Sequence, residues 1–271
     1  MKNKFLSAVE MSSDSRRIIL ELCHKYKTSH IGSAFSCVEI LIYLYKYFLN
    51  VTNENINDPT RDYFFMSKGH AATSLYSTLS LFNIISKDEL LNNFTADGSY
   101  FTSHINSNIN GIELSTGSLG NALGVAGGLA YAKKIKKEAN KIVVLLSDGE
   151  LDEGSNWEAL LFISHHNLNN LITVIDYNKI QSFGATNDVL NLDSLGEKLK
   201  SFNFNIIEVD GHSFDQLDMA FNSIKINNPT VIIANTIKGK GVPFFENKLL
   251  WHYKSPNSEE YQSALSFLEN Q

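Results

Sequence analysis

Apolar residues in the first part of the chain recur at helical spacing. Phe5, Val9, Ile18, Ile19, Leu22 and Tyr26, with Lys and Arg between them, predict a helix over 5–27, and a denser version of the pattern predicts another over 36–48. The most apolar stretch, Cys37 to Leu49, contains Glu39 and Lys46 and is much shorter than the roughly 20 apolar residues a bilayer span needs, so it reads as a buried core helix. A short β-type run, 63–66, ends at Ser67-Lys68-Gly69-His70, and a helical stretch continues to Phe82. Residues 92–118 are rich in Asn, Ser, Thr and Gly and show little periodicity; a loop this long between confident elements is usually functional.

From Asn121 to Lys137 small residues recur at helical spacing, either as a tightly packed buried helix or to admit another backbone or a ligand. Three β-branched runs follow, at 142–146, 171–175 and 231–234, with a further strand expected at 205–209. Helical patterns occupy 155–167, 193–202 and 214–226, and 258–268 reads as a finishing helix. Continuous apolar strands alternating with helices predict an α/β fold: three layers, α/β/α, around a mainly parallel sheet covered on both faces. With no Pro/Gly/Ser linker, repeat or composition break, residues 1–271 are expected to form a single domain.

Composition narrows the function classes. The 271 residues carry 23 Lys+Arg against 29 Asp+Glu, a net charge of −6, and the one basic run is short (Lys133, Lys134, Lys136, Lys137), so no nucleic-acid partner is expected. Two cysteines, Cys23 and Cys37, cannot build a disulfide framework or a four-ligand zinc site, and a reducing, cytoplasmic setting fits them. The N-terminus lacks the apolar run of a signal peptide, so neither export nor membrane insertion is expected.

In open parallel sheets ligands bind beyond the carboxyl ends of the strands. Two of those ends are informative: Ser147-Asp148-Gly149-Glu150 follows one apolar run, and Asp176-Tyr177-Asn178-Lys179-Ile180 closes the next. A carboxylate, an amide oxygen and backbone carbonyls suit a hard cation such as Mg²⁺, with Ca²⁺ or Mn²⁺ as alternatives, shared with a diphosphate. Gly149 allows a sharp turn that brings amides close to phosphate. By itself Asp148-Gly149 is equally an ordinary turn. About 28 residues separate Gly149 from Asn178, however, and in this strand context the pair resembles the thiamine diphosphate fingerprint, Gly-Asp-Gly followed by Asn, with Ser147 in place of the first Gly.

Further segments extend the resemblance over nearly the whole chain and narrow it to the transketolases. They are Ser29-His30-Ile31-Gly32, Ser67-Lys68-Gly69-His70-Ala71, Gly98-Ser99 followed by His104, Ser115-Thr116-Gly117-Ser118-Leu119-Gly120, the Asn178 segment, and Lys238-Gly239-Lys240-Gly241-Val242 with the later Trp251-His252. The resemblance implies the thiamine diphosphate-binding fold, specifically its diphosphate-binding domain. It implies Asp148, Asn178 and the Ile180 carbonyl as metal ligands, and Asp148, Gly149, Asn178, His70 and His252 around the diphosphate. Backbone groups of Gly117 and Leu119 are implied at the aminopyrimidine, and Glu153 at a subunit interface that helps link two active sites. Of eight histidines, His24, His165, His166 and His212 read as structural. His30, His70, His104 and His252 match catalytic positions, His30 and His104 toward the sugar, where imidazoles can orient hydroxyls and move protons near neutral pH.

Full-length transketolases carry a pyrimidine-binding domain and a third domain beyond this region. The chain therefore resembles the N-terminal subunit of a split transketolase, and a separate C-terminal subunit is expected to complete thiamine diphosphate sites in an α2β2 assembly. The implied reaction is reversible transfer of a two-carbon ketol unit from a ketose, pentose phosphates included, to an aldose. Departures from the commoner family residues at Ser33-Ala34-Phe35, Thr73 and Ile105 leave room for a specialised or nucleotide-linked sugar, for example one used in surface-glycan synthesis. The rival readings are the α subunit of a 2-oxo acid dehydrogenase, a 1-deoxyxylulose-phosphate synthase-like protein, and a degenerate subunit that binds without catalysing.

Overall fold

The computed structural model describes residues 4–225 and 227–269. Among them lies one sheet of five parallel strands in the order β1-β2-β3-β5-β4: β1 Tyr63–Met66, β2 Ile142–Ser147, β3 Leu171–Tyr177, β4 Asn205–Asp210 and β5 Thr230–Asn235. β2 and β3 are buried at every position, which explains why they read as unbroken apolar runs instead of alternating ones. Val143, Leu145, Ile172, Val174 and Ile232 feed a core on one face. Ile142, Val144, Leu146, Ile175 and Ile233 feed the other.

The first face is covered by α1 (Leu6–Lys25), α2 (Ile31–Ser36), α3 (Val38–Tyr43), α4 (Ala72–Leu81) and α5 (Lys87–Asn93), joined later by α10 (Phe214–Asn222) and α11 (Ser258–Glu269). The second is covered by α6 (Ala122–Ile135), α7 (Gly154–His165) and α9 (Leu195–Lys200), with the short α8 (Thr186–Val189) preceding α9 in the chain. The three-layer α/β/α expectation holds, and the sheet is wholly parallel. No helix of the described residues is long and apolar enough to cross a membrane.

Three local expectations change. The helix expected over 36–48 is two pieces, α3 and a π-helical turn over Leu44–Phe48, with α2 already complete before it. α5 lies just ahead of, and runs into, the segment read as aperiodic: Ser86 accepts the Glu89 N–H at 3.2 Å, a Ser-x-x-Glu cap, but Leu90 is its only buried residue, too little for periodicity to register. The helix expected over 214–226 ends at Asn222, and Ile226 lies outside the described residues.

Burial of Glu39 in α3 has a specific cause. Arg16 of α1 donates to both its oxygens, at 2.6 and 2.8 Å, and His212 Nδ1 lies 2.9 Å from Oε2. His212 Nε2 accepts the N–H of Ile237 at 2.8 Å, which places the ring proton on Nδ1 and makes it the donor to Glu39. His212, read as structural, thereby ties α3 to the segment that leads into Lys238.

Candidate active site

Strand register decides which side chains meet. Ser147 at the end of β2 pairs with Asp176 of β3, and Asp176 pairs with Ala234 near the end of β5, so the segments beginning at Ser67, Asp148, Asn178 and Thr236 all emerge at one edge of the sheet. Between them lies a cleft of about 220 Å³ lined by His30, His70, His104, His252, Gly117, Leu119, Asp148, Gly149, Asn178 and Ile180, together with Ser33, Lys68, Ser147, Gln181, Ser182 and Lys238. Every sequence-predicted site residue except Glu153 is therefore brought together. Glu153 is exposed, at the N-cap of α7 outside the cleft.

Asp148 is buried; its Oδ1 accepts the Gly149 N–H at 2.7 Å and its Oδ2 accepts the Lys179 N–H. Burial, and then the Asp176 carboxylate, push its carboxyl up to about 6. A divalent cation on that oxygen would relieve the strain on the ionised form. Asn178 Oδ1 accepts the Ile180 N–H at 3.1 Å, and the Ile180 carbonyl accepts from Lys238 Nζ at 2.8 Å. Among the described residues no cluster of three or more His, Cys, Asp and Glu side chains could hold a metal. The donor set is one carboxylate, one amide oxygen and one carbonyl, so a hard, six-coordinate cation would need its remaining oxygens from a ligand such as a diphosphate and from water. The residues fit a cation bound jointly with such a group.

The four histidines arrive from four segments and form one aromatic cluster. The His30 ring lies 5.4 Å from that of His70, 5.8 Å from His104 and 4.9 Å from His252, and His70 lies 5.6 Å from His252. His30 sits in the left-handed region, φ 71°, ahead of α2, and its N–H donates to the His252 carbonyl at 3.1 Å, which locks the two loops together. Burial, then His104 and Lys238, lower His30 to about 4, while burial and Lys238 lower His252 to about 3. Burial, then Lys68, hold His70 well below its usual range. These three rings are therefore neutral at pH 7, each with one donor and one acceptor nitrogen; the Nδ1 of His30 faces Ser29 Oγ at 3.1 Å and that of His252 faces Lys238 Nζ at 3.1 Å.

Two lysines that sequence reasoning passed over stand behind the cluster. Lys68 is fully buried, paired with the equally buried Asp176, and also donates to the Ser33 carbonyl at 3.0 Å. Although desolvation opposes it, the Asp176 carboxylate raises the ammonium's pKa. Lys238 approaches His252 Nδ1 at 3.1 Å, and burial brings it down to about 8. A signal for the first pair was present: Asp176 is the one charged residue of a strand buried throughout, which demands a cation partner. Of the departures noted in the sequence, only Ser33 lines the cleft. Ala34, Phe35, Thr73 and Ile105 are core residues and face no ligand there.

This edge defines the chain as an α/β protein whose strand ends gather a buried carboxylate, an amide oxygen and a backbone carbonyl beside a cluster of imidazoles. Residues 8–265 match the family described as transketolase, thiamine diphosphate binding domain, and the chain belongs to the transketolase family of transferases. It is 35% identical over 263 residues to an apulose-4-phosphate transketolase subunit of Phocaeicola vulgatus, covering 96% of this chain and 93% of that protein. It is also 35% identical over 259 residues to the 6-deoxy-6-sulfo-D-fructose transketolase subunit SqwG of a Clostridium species, covering 94% of each. The fold superimposes on the transketolase of Campylobacter jejuni with a TM-score of 0.88 at 26% identity, over 97% of this chain and 43% of that one. With the transketolase of Leishmania mexicana the TM-score is 0.89 at 23% identity, over 97% and 41%. The chain thus spans about two fifths of the transketolase structures it matches.

Proposed function

We propose that this chain is the diphosphate-binding subunit of a two-chain transketolase, transferring a two-carbon ketol unit from a ketose to an aldose with thiamine diphosphate and a divalent cation, Mg²⁺ first. The observation that carries the reading is the meeting of Asp148, Asn178 and the Ile180 carbonyl with four histidines in one cleft. When bound, thiamine diphosphate supplies the carbanion and the electron sink. The chain's residues hold and orient. Asp148, Asn178 and Ile180 take the cation, Gly149, His70 and His252 the diphosphate, and Gly117 and Leu119 the aminopyrimidine. His30 and His104 bind the sugar hydroxyls, and Glu153, exposed at the start of α7, contributes to the interface that links paired sites.

Two points support a partner chain. The cleft, about 220 Å³, is smaller than the roughly 300–1,000 Å³ of pockets that enclose a cofactor-sized ligand. The relatives covered over 93% and 94% of their length are named as subunits. A separate C-terminal chain with the pyrimidine-binding and third domains, paired as α2β2, completes the enzyme. Those relatives' names specify apulose 4-phosphate and 6-deoxy-6-sulfo-D-fructose, which favours a specialised sugar over the common pentose phosphates as the substrate here. Cys23 and Cys37, both buried free thiols, support a cytoplasmic location.

The test is ketol transfer with thiamine diphosphate and Mg²⁺, using the chain alone and the chain with the product of the adjacent gene. Donors are xylulose 5-phosphate, apulose 4-phosphate and 6-deoxy-6-sulfo-D-fructose. Transfer only in the mixture is expected. Full activity of the chain alone refutes the two-chain reading, and pyruvate-dependent CO₂ release refutes ketol transfer.

A further inference from the structure

Glu150 follows the cation-site turn, is fully buried, and does not line the cleft. Its Oε1 accepts the Gly120 N–H at 2.9 Å and the Ser67 hydroxyl, and its Oε2 accepts the Ser147 N–H at 3.3 Å. These donors come from three segments: the loop 115–120, the end of β1 and the end of β2. A buried carboxylate costs several kcal/mol unless its oxygens are bonded. Here the donors are backbone groups and one hydroxyl, which need two acceptor oxygens at one place.

The loop is also held at its start, at its last carbonyl, and by Asn121 Nδ2, which donates to the Ser118 carbonyl at 3.1 Å and more distantly to the Leu119 carbonyl at 3.4 Å. The Thr116 N–H donates to Ile105 at 3.1 Å and its hydroxyl to Met66 at 2.7 Å, while Ser155 donates to the Gly120 carbonyl at 2.8 Å. Gly120 has φ +81°, and a Cβ there would lie 2.5 Å from Ser155 Oγ, so the chain turns here at a position that favours glycine. Gly117 and Leu119 lie between these anchors and line the cleft. Because N–H and C=O of one trans peptide point in opposite directions, fixing the Gly120 N–H also fixes the Leu119 carbonyl.

We propose that Glu150 is a positioning residue whose carboxylate sets the Leu119–Gly120 peptide, so that Gly117 and Leu119 present their backbone to the aminopyrimidine side of the cofactor. The cofactor half of this role rests on the function proposed above. Glu150→Gln keeps the side chain's size but replaces one acceptor oxygen with an NH₂ group, leaving a donor of this set unpaired. Glu150→Asp keeps the charge but is one methylene too short to reach all three donors.

Amide hydrogen exchange of the full chain without cofactor reads the tether directly. In either variant the 115–121 peptide is expected to exchange about tenfold faster or more, with β2 and β3 peptides at wild-type protection. Calorimetry with two probes reads its use: thiamine diphosphate with Mg²⁺ binds about tenfold more weakly, while inorganic diphosphate with Mg²⁺ binds as in wild type. Unchanged exchange in 115–121 overturns the tether, and equal weakening of both probes overturns the positioning role. If the loop loosens but thiamine diphosphate binding is unchanged, the tether stands and the assignment of the loop to the cofactor falls. If the wild-type chain alone binds neither probe, the same titrations are read with the partner subunit present; binding of neither probe there refutes the cofactor reading, and the exchange result still decides the tether.

Discussion

Replacing Glu39 by Gln should destabilise the protein by about 3 kcal/mol at pH 7, and the loss should shrink in acid. Burial alone would raise the Glu39 carboxyl, but Arg16, which approaches both oxygens, and His212 outweigh it and pull the group from 4.5 down to about 2. At about 1.4 kcal/mol per pKa unit this fall is on the order of 3 kcal/mol, the lower end of what breaking a buried ion pair costs. The sign follows from linkage. A carboxyl with a depressed folded-state pKa contributes stability that is complete above the unfolded value near 4.5 and disappears as pH falls through about 2. Gln offers one acceptor where three donors converge, and it leaves the buried Arg16 without its carboxylate. The assay is urea unfolding of wild type and Glu39→Gln at pH 7, 5, 4 and 3, compared as differences in midpoint at constant slope. The gap should be largest at pH 7 and 5 and narrow at 4 and 3. A gap below about 1 kcal/mol at pH 7, or one that widens on acidification, would refute the argument.

Lys68→Met should cost about 3–5 kcal/mol of unfolding free energy, because it leaves Asp176 buried and uncompensated; adding Asp176→Asn should restore part of the loss in the same urea titration. Asp148→Asn should weaken Mg²⁺-supported thiamine diphosphate binding roughly a hundredfold by calorimetry, since ligand charge sets affinity at oxygen sites; unchanged affinity would remove Asp148 from the cation site. Gly69→Ala should destabilise by about 1–3 kcal/mol in thermal or urea unfolding, because the new Cβ would lie 2.5 Å from the Thr116 carbonyl, and backbone must move to admit it. His104→Ala should raise KM for the ketose donor about tenfold, one lost hydrogen bond's worth, while the cofactor Kd stays within twofold; a matching loss of cofactor affinity would move His104 off the sugar.

Legibility followed burial. β2 and β3 were readable because strands buried on both faces carry a continuous β-branched pattern. α5 was not, since one buried leucine makes no period. The π-helical turn at Leu44–Phe48 lies inside an apolar stretch whose composition is the same whether the helix continues or widens. Among site residues, Asp148 and Asn178 stood out by their place after apolar runs. Lys68 and Lys238 were inside segments already singled out, yet their importance lies in partners distant in the chain, Asp176 for one and Ile180 and His252 for the other.

Local sequence by itself determined which segments are strands, that the sheet is parallel with both faces covered, and which loops carry chemistry, because these depend on residues a few positions apart. Family resemblance could name the histidines but could not place them. Their meeting within 5.8 Å, the neutral state that burial imposes on His30, His70 and His252, and the retreat of Thr73 and Ile105 into the core are consequences of strand register and packing. So is the Glu150 tether, which joins residues 67, 120 and 147. Desolvation and hydrogen-bond geometry are set by what the folded chain brings alongside a group, so they become determinate only in the tertiary structure.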